Sequence, residues 1–297
     1  MSHLKKPEWL KTRLAGSGRY GELRRLLGEL KLNTVCTEAS CPNMGECWER
    51  GSVTVMILGG ACTRNCRFCN VDFTAAPRPP DPEEPEHTAA ALAQLKLKHA
   101  VITSVTRDDL SDGGSRHWAA TISAIKQTCP WMTMEALIPD FKRNEPCLDR
   151  VLDAGPNILS HNLETVQRLA ESIRPHASHE TSLHVLKHAS ARGFITKSSL
   201  MLGMGETDEE VVTTMKELRR AGVRIIALGQ YLQPSKRHAA VKRYVQPEKF
   251  KEFERRAREL GFDWVESGPL VRSSYRAEDQ SRLCKTRTDQ STSLNPQ

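Results

Sequence analysis

The sequence predicts an α/β fold, a partial (β/α)6 TIM-type barrel whose N-terminal and C-terminal extensions cover the barrel mouth. From Ser52 onward, β-branched runs alternate with amphipathic segments, which is typical of strand–helix units around a parallel sheet. Six strands of this kind can be counted. A full eight-unit barrel takes ~250 residues, whereas roughly the first fifty and the last thirty of the 297 residues lie outside the alternating region. The barrel is therefore expected to be incomplete.

The candidate strands are short apolar runs. They span residues 53–58, 101–105, 132–137, 157–160, 195–202 and 223–228. Between them, Thr207 and Glu210 form a capping box that predicts a helix start, and Pro247 and Gly261 mark the two ends of another helix. Apolar residues at helical spacing predict the buried faces of three helices: Trp118, Ile122 and Ile125; Val211, Met215 and Leu218; Phe250, Phe253, Ala257 and Leu260.

Six of the nine cysteines form two triplets between positions 36 and 69. The triplets are Cys36, Cys41 and Cys47 (C-x4-C-x5-C) and Cys62, Cys66 and Cys69 (C-x3-C-x2-C). Three thiolates can hold three corners of a four-iron, four-sulfur cube, and they leave the fourth iron open to another donor. Because the second triplet follows the first strand through Gly59 and Gly60, we expect it at the barrel mouth, where the carboxyl ends of the strands gather.

Other uses of these cysteines fit the pattern less well. A structural zinc site needs four ligands, usually in two close pairs, and neither triplet supplies them. An electron-transfer ferredoxin would show C-x2-C-x2-C-x3-C-P, which is absent from the sequence. Disulfides require an oxidising compartment, and no apolar signal segment opens the chain. Cys129, Cys147 and Cys284 stand alone and are interpreted as small buried residues or, for Cys284, a tail thiol.

Charge is distributed unevenly along the chain. The formal net charge is +7, and the stretch from Arg219 to Arg258 contains twelve basic residues and only three acidic ones. This stretch predicts either an ordinary solvated surface or a docking face for an acidic protein partner. Nucleic acid is not expected as a partner, since no recognition motif is present. No membrane span is expected either, because no apolar run approaches ~18 residues. A cytoplasmic protein is the resulting expectation.

The second triplet, with Phe68 before its last cysteine, resembles the radical S-adenosylmethionine superfamily. The resemblance implies that Cys62, Cys66 and Cys69 hold a catalytic 4Fe-4S cluster whose open iron is chelated by the amino and carboxylate groups of S-adenosylmethionine. It further implies that reductive cleavage of this cofactor gives a 5′-deoxyadenosyl radical that abstracts hydrogen from unactivated C–H bonds. The polar loops after strands two, four and five would contact the cofactor, with Asn162 and Glu164 as the binding residues.

The first triplet, within CTEASCPNMGECW, is similar to the auxiliary-cluster motif of lipoyl synthases. Further matching segments are SVTRDDLSDGG, HNLET, GQYLQPS and RSSYRA, and the resemblance runs from about Lys5 to Ala277. Departures are His176, His179 and Ser199, at positions where that family commonly has Gly, Tyr and Gly. The chain is divided into an extension over residues 1–51, a barrel over 52–260, where strands and helices alternate, and a segment carrying RSSY over 261–277. Because residues 278–297 are dominated by polar side chains, we expect this tail to be disordered.

The resemblance implies a specific reaction. Lipoyl synthases insert sulfur at C6 and C8 of an octanoyl group on a lysine of a lipoyl carrier domain, using two S-adenosylmethionine molecules. Cys36, Cys41 and Cys47 would hold an auxiliary, sacrificial 4Fe-4S cluster that supplies the sulfur. The fourth iron would be bound by Ser274, assigned over Ser273 by matching the family pattern, and an oxygen donor is a weak ligand for such a cluster.

The implied partners follow from the same resemblance. They are the octanoylated carrier domains of 2-oxoacid dehydrogenase E2 subunits and glycine cleavage H protein, an electron donor such as ferredoxin or flavodoxin, and an iron-sulfur carrier protein. Two other functions stay open from sequence alone. One is a different sulfur-inserting enzyme, such as a biotin synthase or methylthiotransferase, and the other is an iron-sulfur scaffold or redox sensor.

Overall fold

Seven parallel strands form one open sheet in the order β1 to β7. The structure, a computed structural model, describes residues 5–11, 18–30, 32–38 and 41–284. The strands are β1 Thr54–Ile57, β2 His99–Ser104, β3 Thr133–Leu137, β4 Ile158–Ser160, β5 Ile195–Leu202, β6 Ile225–Gln230 and β7 Trp264–Gly268. Each pairs with its sequence neighbour in parallel register. The predicted partial barrel is confirmed.

The prediction of six strands was one short, because β7 was not recognised. Its sequence, WVESG, contains only two apolar residues, and only Val265 is fully buried. A strand of this kind lacks the continuous apolar run by which buried parallel strands are identified. The seventh strand therefore lies within residues 261–277, the segment for which the sequence predicted only the RSSY motif.

Helices between the strands connect them and cover the outside of the sheet, and further helices lie in the terminal extensions. They are α1 Gly18–Glu29, α2 Val35–Glu38, α3 Met44–Glu49, α4 Glu84–Leu95, α5 Ser115–Thr128, α6 Glu145–Asp153, α7 Gln167–Ile173, α8 His179–Ala191, α9 Asp208–Arg220, α10 Pro247–Glu259 and α11 Ala277–Gln280. Two 3₁₀ turns lie at Glu8–Leu10 and Phe141–Arg143. No helix of the described part of the chain is both long enough and apolar enough to cross a membrane.

The predicted helix faces are buried against the sheet, except that Leu260 follows the last turn of α10 and is only half-buried. The inward residues are Trp118, Ile122 and Ile125 on α5, Val211, Met215 and Leu218 on α9, and Phe250, Phe253 and Ala257 on α10. Burying a side chain of this size contributes roughly 1.5–3 kcal/mol, so these faces hold the helices to the barrel. The capping box of Thr207 and Glu210 is present in both directions at the start of α9.

The N-terminal segment covers the free edge of the first strand. Thr34 forms an antiparallel bridge with Val55, and the Met56 amide donates to Asn33 O at 2.8 Å. Exposed edge strands present unpaired backbone groups, and a covering segment satisfies them. The segment is held further by Trp48, which is buried and stacks on Tyr20 with ring centroids 5.3 Å apart.

The C-terminal segment runs from the mouth of the barrel to its base. After β7, the backbone of Val271 lies against Gly229 at the end of β6. At the other end, Leu283 and Cys284 pack with Ile158, Ile195 and Ile225 at the beginnings of three strands. Residues 278–284, expected to belong to a disordered tail, are thus part of the packed structure. The rest of that tail, residues 285–297, lies outside the described residues.

A buried ion pair occupies the barrel interior. Lys197 Nζ lies 2.8 Å from Glu135 Oε2, and neither side chain is exposed. Ser160 Oγ donates to the other carboxylate oxygen of Glu135 at 2.7 Å. A buried pair of this kind adds little net stability, but loss of one partner would leave a buried charge at a cost of about 3–5 kcal/mol.

The close contact at Gly229 leads to the first prediction. A Cβ on Gly229 would lie 1.9 Å from Val271 O, so Gly229→Ala must push the C-terminal segment away from β6. We expect the free energy of unfolding to fall by at least about 2 kcal/mol in urea titrations. The matched control is Gly28→Ala on α1, where the added methyl meets nothing within 4 Å and should be neutral or slightly stabilising. Equal stability of the two variants would contradict the close-approach account.

Candidate functional site

A cavity of about 570 Å³ opens at the carboxyl ends of the strands. Residues from both cysteine triplets line it, together with the polar loop after β4 and the RSSY segment. These predicted site residues are Cys36, Cys41, Cys62, Cys66, Cys69, Asn162, Glu164, Ser273 and Ser274. Cys47, the remaining one, lines a smaller recess that also contains Cys36, Cys41 and Ser274. The fold therefore brings cysteines of both triplets to the lining of the same cavity.

The loop carrying the second triplet is attached to its neighbours by backbone hydrogen bonds. The Cys62 amide donates to Asp72 O at 2.7 Å, and the Thr63 amide donates to Thr106 O at 3.0 Å. The Arg67 amide donates to Ile173 O at 2.8 Å. The loop is thus tied to the segments that follow β2 and β4, which fixes where its thiols point.

Arg64 attaches the same loop to the segments that follow β2 and β3. Its guanidinium donates to Asp140 at 2.7 Å through two nitrogens and to Asp108 at 2.6 and 3.0 Å. Burial is the largest single influence and would raise the pKa of Asp140, but the hydrogen bonds and charge of Arg64, with smaller contributions from His161 and the Lys142 amide, together lower that pKa to about 2. Sequence reasoning missed this network. A cation inside the cysteine loop and the Arg-Asp-Asp run after β2 were the available signals.

The second-triplet thiols are suited to bind a metal and poorly suited to act as free nucleophiles. Burial raises the pKa of Cys66 to about 11 and that of Cys69 to about 12. Such thiols are protonated at neutral pH, and coordination to a metal is what makes them thiolates. Cys62 Sγ accepts from the amides of Arg64 and Thr106, each at 3.4 Å, and so lies in an environment able to stabilise negative charge on sulfur.

The first triplet is arranged around α2 and α3. The Cys41 amide donates to Cys36 O at 3.0 Å, and the Cys47 amide donates to Asn43 O at 2.9 Å. Burial, and for each of them the nearby thiols of the triplet, raise the pKa of Cys41 and of Cys47. Cys36 is buried and Cys41 and Cys47 are half-buried, and three neighbouring thiols of this kind are the donor set expected of a cluster site.

The two candidate serines occupy different positions. Ser274 borders both the cavity and the recess that holds all three thiols of the first triplet, whereas Ser273 borders the cavity. A hydroxyl beside three thiols offers the fourth donor that a cube requires. This geometry favours Ser274, as the motif comparison did.

Polar contacts fasten the segment carrying Ser274 to the helix carrying Cys47. On one side, Asn43 Nδ2 donates to Leu270 O at 2.5 Å. On the other, the Tyr275 hydroxyl donates to Glu46 at 3.0 Å, and Arg50 contacts Glu278 and Asp279. We call these contacts the terminal clamp. They hold the serine close to the thiols although the two segments are distant in sequence.

The loop after β4 presents acceptors to the cavity. Asn162 Nδ2 donates to Glu164 Oε1 at 3.0 Å, while Asn162 Oδ1 is buried and has no hydrogen-bond partner among the described residues. Glu164 has φ +67°, a strained conformation for a non-glycine residue that often marks a functional position. A carboxylate beside an unpartnered amide oxygen fits a bound ammonium group.

Two arginines that sequence reasoning missed line the same cavity. Arg174 Nη1 donates to Leu163 O and Ser182 Oγ, each at 3.0 Å. Arg272 Nη1 donates to Val271 O at 2.8 Å. Burial lowers the pKa of Arg272, while the neighbouring Cys41 and Glu164 oppose this effect. With acceptors and guanidinium groups both present, the cavity is suited to a zwitterionic amino-acid group.

Other residues of the predicted cofactor loops have structural roles. The Glu206 carboxylate accepts from the amides of Gly203, Met204 and Gly205 at 2.6–3.1 Å, which leaves it little capacity for a ligand. His161 is buried and hydrogen-bonded through both nitrogens, as expected for a core histidine, and burial lowers its pKa to about 4. Thr106 does line the cavity.

Comparison with known proteins agrees with this geometry. Residues 56–218 match the model of the Radical SAM superfamily. The chain is 51% identical over 275 residues to the lipoyl synthase of Chlorobium phaeovibrioides, with 92% of this chain and 97% of that one covered. It is 52% identical over 274 residues to the mitochondrial lipoyl synthase of Nematostella vectensis, covering 92% and 94%.

Solved structures with the same fold are far more distant in sequence. Methylornithine synthase is 14% identical with a TM-score of 0.55, over 83% of this chain and 81% of that one. SuiB of Streptococcus suis, solved with S-adenosylmethionine, is 10% identical with a TM-score of 0.59, over 84% and 61%. At such identities the likeness concerns the barrel architecture alone.

Proposed function

The chain belongs to the lipoyl synthase family of radical S-adenosylmethionine enzymes, and from that premise we propose that it inserts sulfur at C6 and C8 of an octanoyl group. The octanoyl group is carried on a lysine of a lipoyl carrier domain. The observation that carries the proposal is that thiols of both triplets line one cavity. A radical generator and a sulfur donor must both reach the same alkyl chain, and a shared cavity permits this.

Cys62, Cys66 and Cys69 would hold the 4Fe-4S cluster that works with S-adenosylmethionine. This pair of groups supplies radical hydrogen abstraction from C6 and C8 when bound. Asn162 and Glu164 would receive the ammonium group of the methionyl part, and Arg174 and Arg272 its carboxylate. Arg64 acts on the cluster only indirectly, by fixing the loop on which the three thiols lie.

Cys36, Cys41, Cys47 and Ser274 would hold the auxiliary 4Fe-4S cluster, which is the proposed source of both sulfur atoms. The serine oxygen is a harder donor than a thiolate and so a weaker ligand for this cluster, which suits a cluster that is consumed. An iron-sulfur carrier protein would then be needed to rebuild it. Ferredoxin or flavodoxin is the proposed electron donor, and the cytoplasm the proposed location.

The cavity also suits an alkyl chain. Val105, Leu137 and Leu200 line it beside the polar groups, and they present apolar surface at the ends of strands β2, β3 and β5. Apolar surface of this kind binds a chain of methylene groups and keeps water from the reacting carbons.

Part of the basic stretch lies where a carrier would dock. The loop after β6 contacts the second-triplet loop, since His238 Nε2 donates to Cys69 O at 2.9 Å and the Ala239 amide donates to Arg67 O at 2.8 Å. Lys236 and Arg237 are exposed on this loop, at the mouth. By contrast, Arg255 and Arg256 lie near the end of α10, which precedes β7 and so falls at the base of the barrel. We propose the mouth loop as the docking surface for an acidic carrier domain.

Replacement of each triplet by alanine tests the two-cluster assignment. Loss of Cys36, Cys41 and Cys47 should lower the iron content from roughly eight to roughly four atoms per chain and abolish dithiolation of an octanoyl-lysine peptide. It should leave release of 5′-deoxyadenosine intact. Loss of Cys62, Cys66 and Cys69 should lower iron similarly but abolish 5′-deoxyadenosine as well.

Cys129→Ala, at a buried lone cysteine, is the control and should keep both clusters. Wild-type protein with about four iron atoms would instead support a scaffold or sensor. Insertion of sulfur into desthiobiotin, or methylthiolation of tRNA, in place of reaction with the peptide would support a different sulfur-inserting enzyme.

Ser274→Ala tests the oxygen ligand. We expect sulfur insertion to fall by at least about tenfold, because the fourth iron loses its protein donor, while cleavage of S-adenosylmethionine continues. Mössbauer spectra should change for the auxiliary cluster alone. Ser273→Ala is the matched control and should behave as wild type. A reversal of these two results would assign the ligand to Ser273.

The docking surface is tested by charge reversal at Lys236 and Arg237. We expect kcat/KM for an octanoylated carrier domain to fall by about tenfold, most strongly at low salt, with no change for a short octanoyl-lysine peptide. Reversal at Arg255 and Arg256, on the base of the barrel, should have little effect on either substrate. Equal losses with both substrates would show that electrostatic steering is not the cause.

A further inference from the structure

Three potential metal ligands face one another on the outer wall of the barrel, away from the cysteine cavity, and a fourth contacts one of them. His184 and His188 are four residues apart on α8, and Glu145 and Asp149 have the same spacing on α6. Residues four apart project from one face of a helix. Two such pairs on adjacent helices bring two imidazoles and two carboxylates together.

The distances are short. Ligand atoms of Glu145, His184 and His188 all lie within 4.8 Å of one another. His188 Nε2 lies 2.7 Å from Asp149 Oδ1. The two imidazole side chains are 20% exposed, so the group is accessible to ions in solution but partly shielded.

The contact between His184 and Glu145 is unlike an ordinary hydrogen bond. His184 Nε2 is 3.0 Å from Glu145 Oε1, yet this buried nitrogen makes no hydrogen bond to any described residue. Two ligand atoms on a tetrahedral ion with bonds of about 2.0–2.1 Å are about 3.3 Å apart and point at the ion instead of at each other. A close but misaligned nitrogen–oxygen pair fits that arrangement.

We propose that Glu145, His184, His188 and Asp149 form a surface site for a zinc-like divalent cation. Imidazole nitrogen with carboxylate oxygen is a donor set that suits Zn²⁺, and histidines four apart on a helix are a recurrent half-site. Asp149 also contacts Arg192 at 2.6 Å, and His188 Nε2 donates to it. As the acceptor that orients His188, Asp149 would leave Nδ1 to bind the ion; as the fourth ligand, it would exchange this hydrogen bond for a bond to the ion.

The proposed site would join α6 to α8 and stiffen the wall behind the cavity. Two residues before His184, Ser182 Oγ contacts His161 Nε2 and Arg174 Nη1, each at 3.0 Å. A cation that fixes α8 would therefore also hold the residues that support the loop of Asn162 and Glu164. Binding to the folded state alone raises thermal stability.

The test uses holoenzyme with both clusters loaded, under anaerobic conditions, so that the cysteines are occupied. After dialysis against ZnCl₂, we expect one zinc per chain with unchanged iron content, and a rise in Tm. The double variant His184→Gln/His188→Gln should weaken zinc binding by at least about tenfold and abolish the rise in Tm. The matched control is His87→Gln/His176→Gln, at two exposed histidines outside the group, and it should bind zinc as wild type does.

Each other outcome would overturn the proposal. If wild-type holoenzyme binds no zinc, the four side chains form ion pairs only. If both double variants bind zinc equally well, the cation lies elsewhere on the protein. A Glu145→Gln variant adds a separate check, since loss of one carboxylate should weaken binding while leaving the histidine pair in place.

Discussion

An open parallel sheet leaves backbone groups unpaired along its first strand, and the location of the proposed first-triplet ligands depends on how this chain covers that edge. Asn33 and Thr34 pair with β1, which draws α2 and α3 and their three cysteines to the barrel mouth. On the opposite side, the absence of a side chain at Gly229 lets the segment after β7 approach β6 at backbone distance. The N-terminal segment carries the three cysteines and the C-terminal segment carries Ser274. The contacts by which these two segments cover the barrel therefore also bring the proposed first-triplet ligands together.

A buried ion pair positions the loop that carries the second triplet. The Arg64 side chain is 5% exposed and that of Asp140 is 1% exposed, so neither ion could be tolerated there without the other. Asp108 contributes a second carboxylate from the loop after β2. The cysteine loop is consequently attached to the ends of β2 and β3 by strong, directional contacts.

Local pattern was sufficient to predict six strands, the α9 capping box and the two triplets, because each depends on residues close together in sequence. The contacts between distant segments were not predictable in this way. Arg64 supports the site through Asp140, 76 positions away, and Arg272 donates to Gln230 O, 42 positions away, so only folding brings these partners together. The weakly apolar strand β7 was missed for a related reason, since its place is determined by its neighbour β6 and not by its own composition.

The terminal clamp also implies an order of events during biosynthesis. Glu46 and Tyr275, which meet in the clamp, are 229 positions apart. The thiols of the first triplet leave the ribosome long before the serine beside them has been translated. If the proposed auxiliary cluster were delivered to the nascent chain, it would find three ligands and an exposed face, so its delivery is expected to follow chain release. Truncated chains that stop before Ser274 would expose the same face permanently.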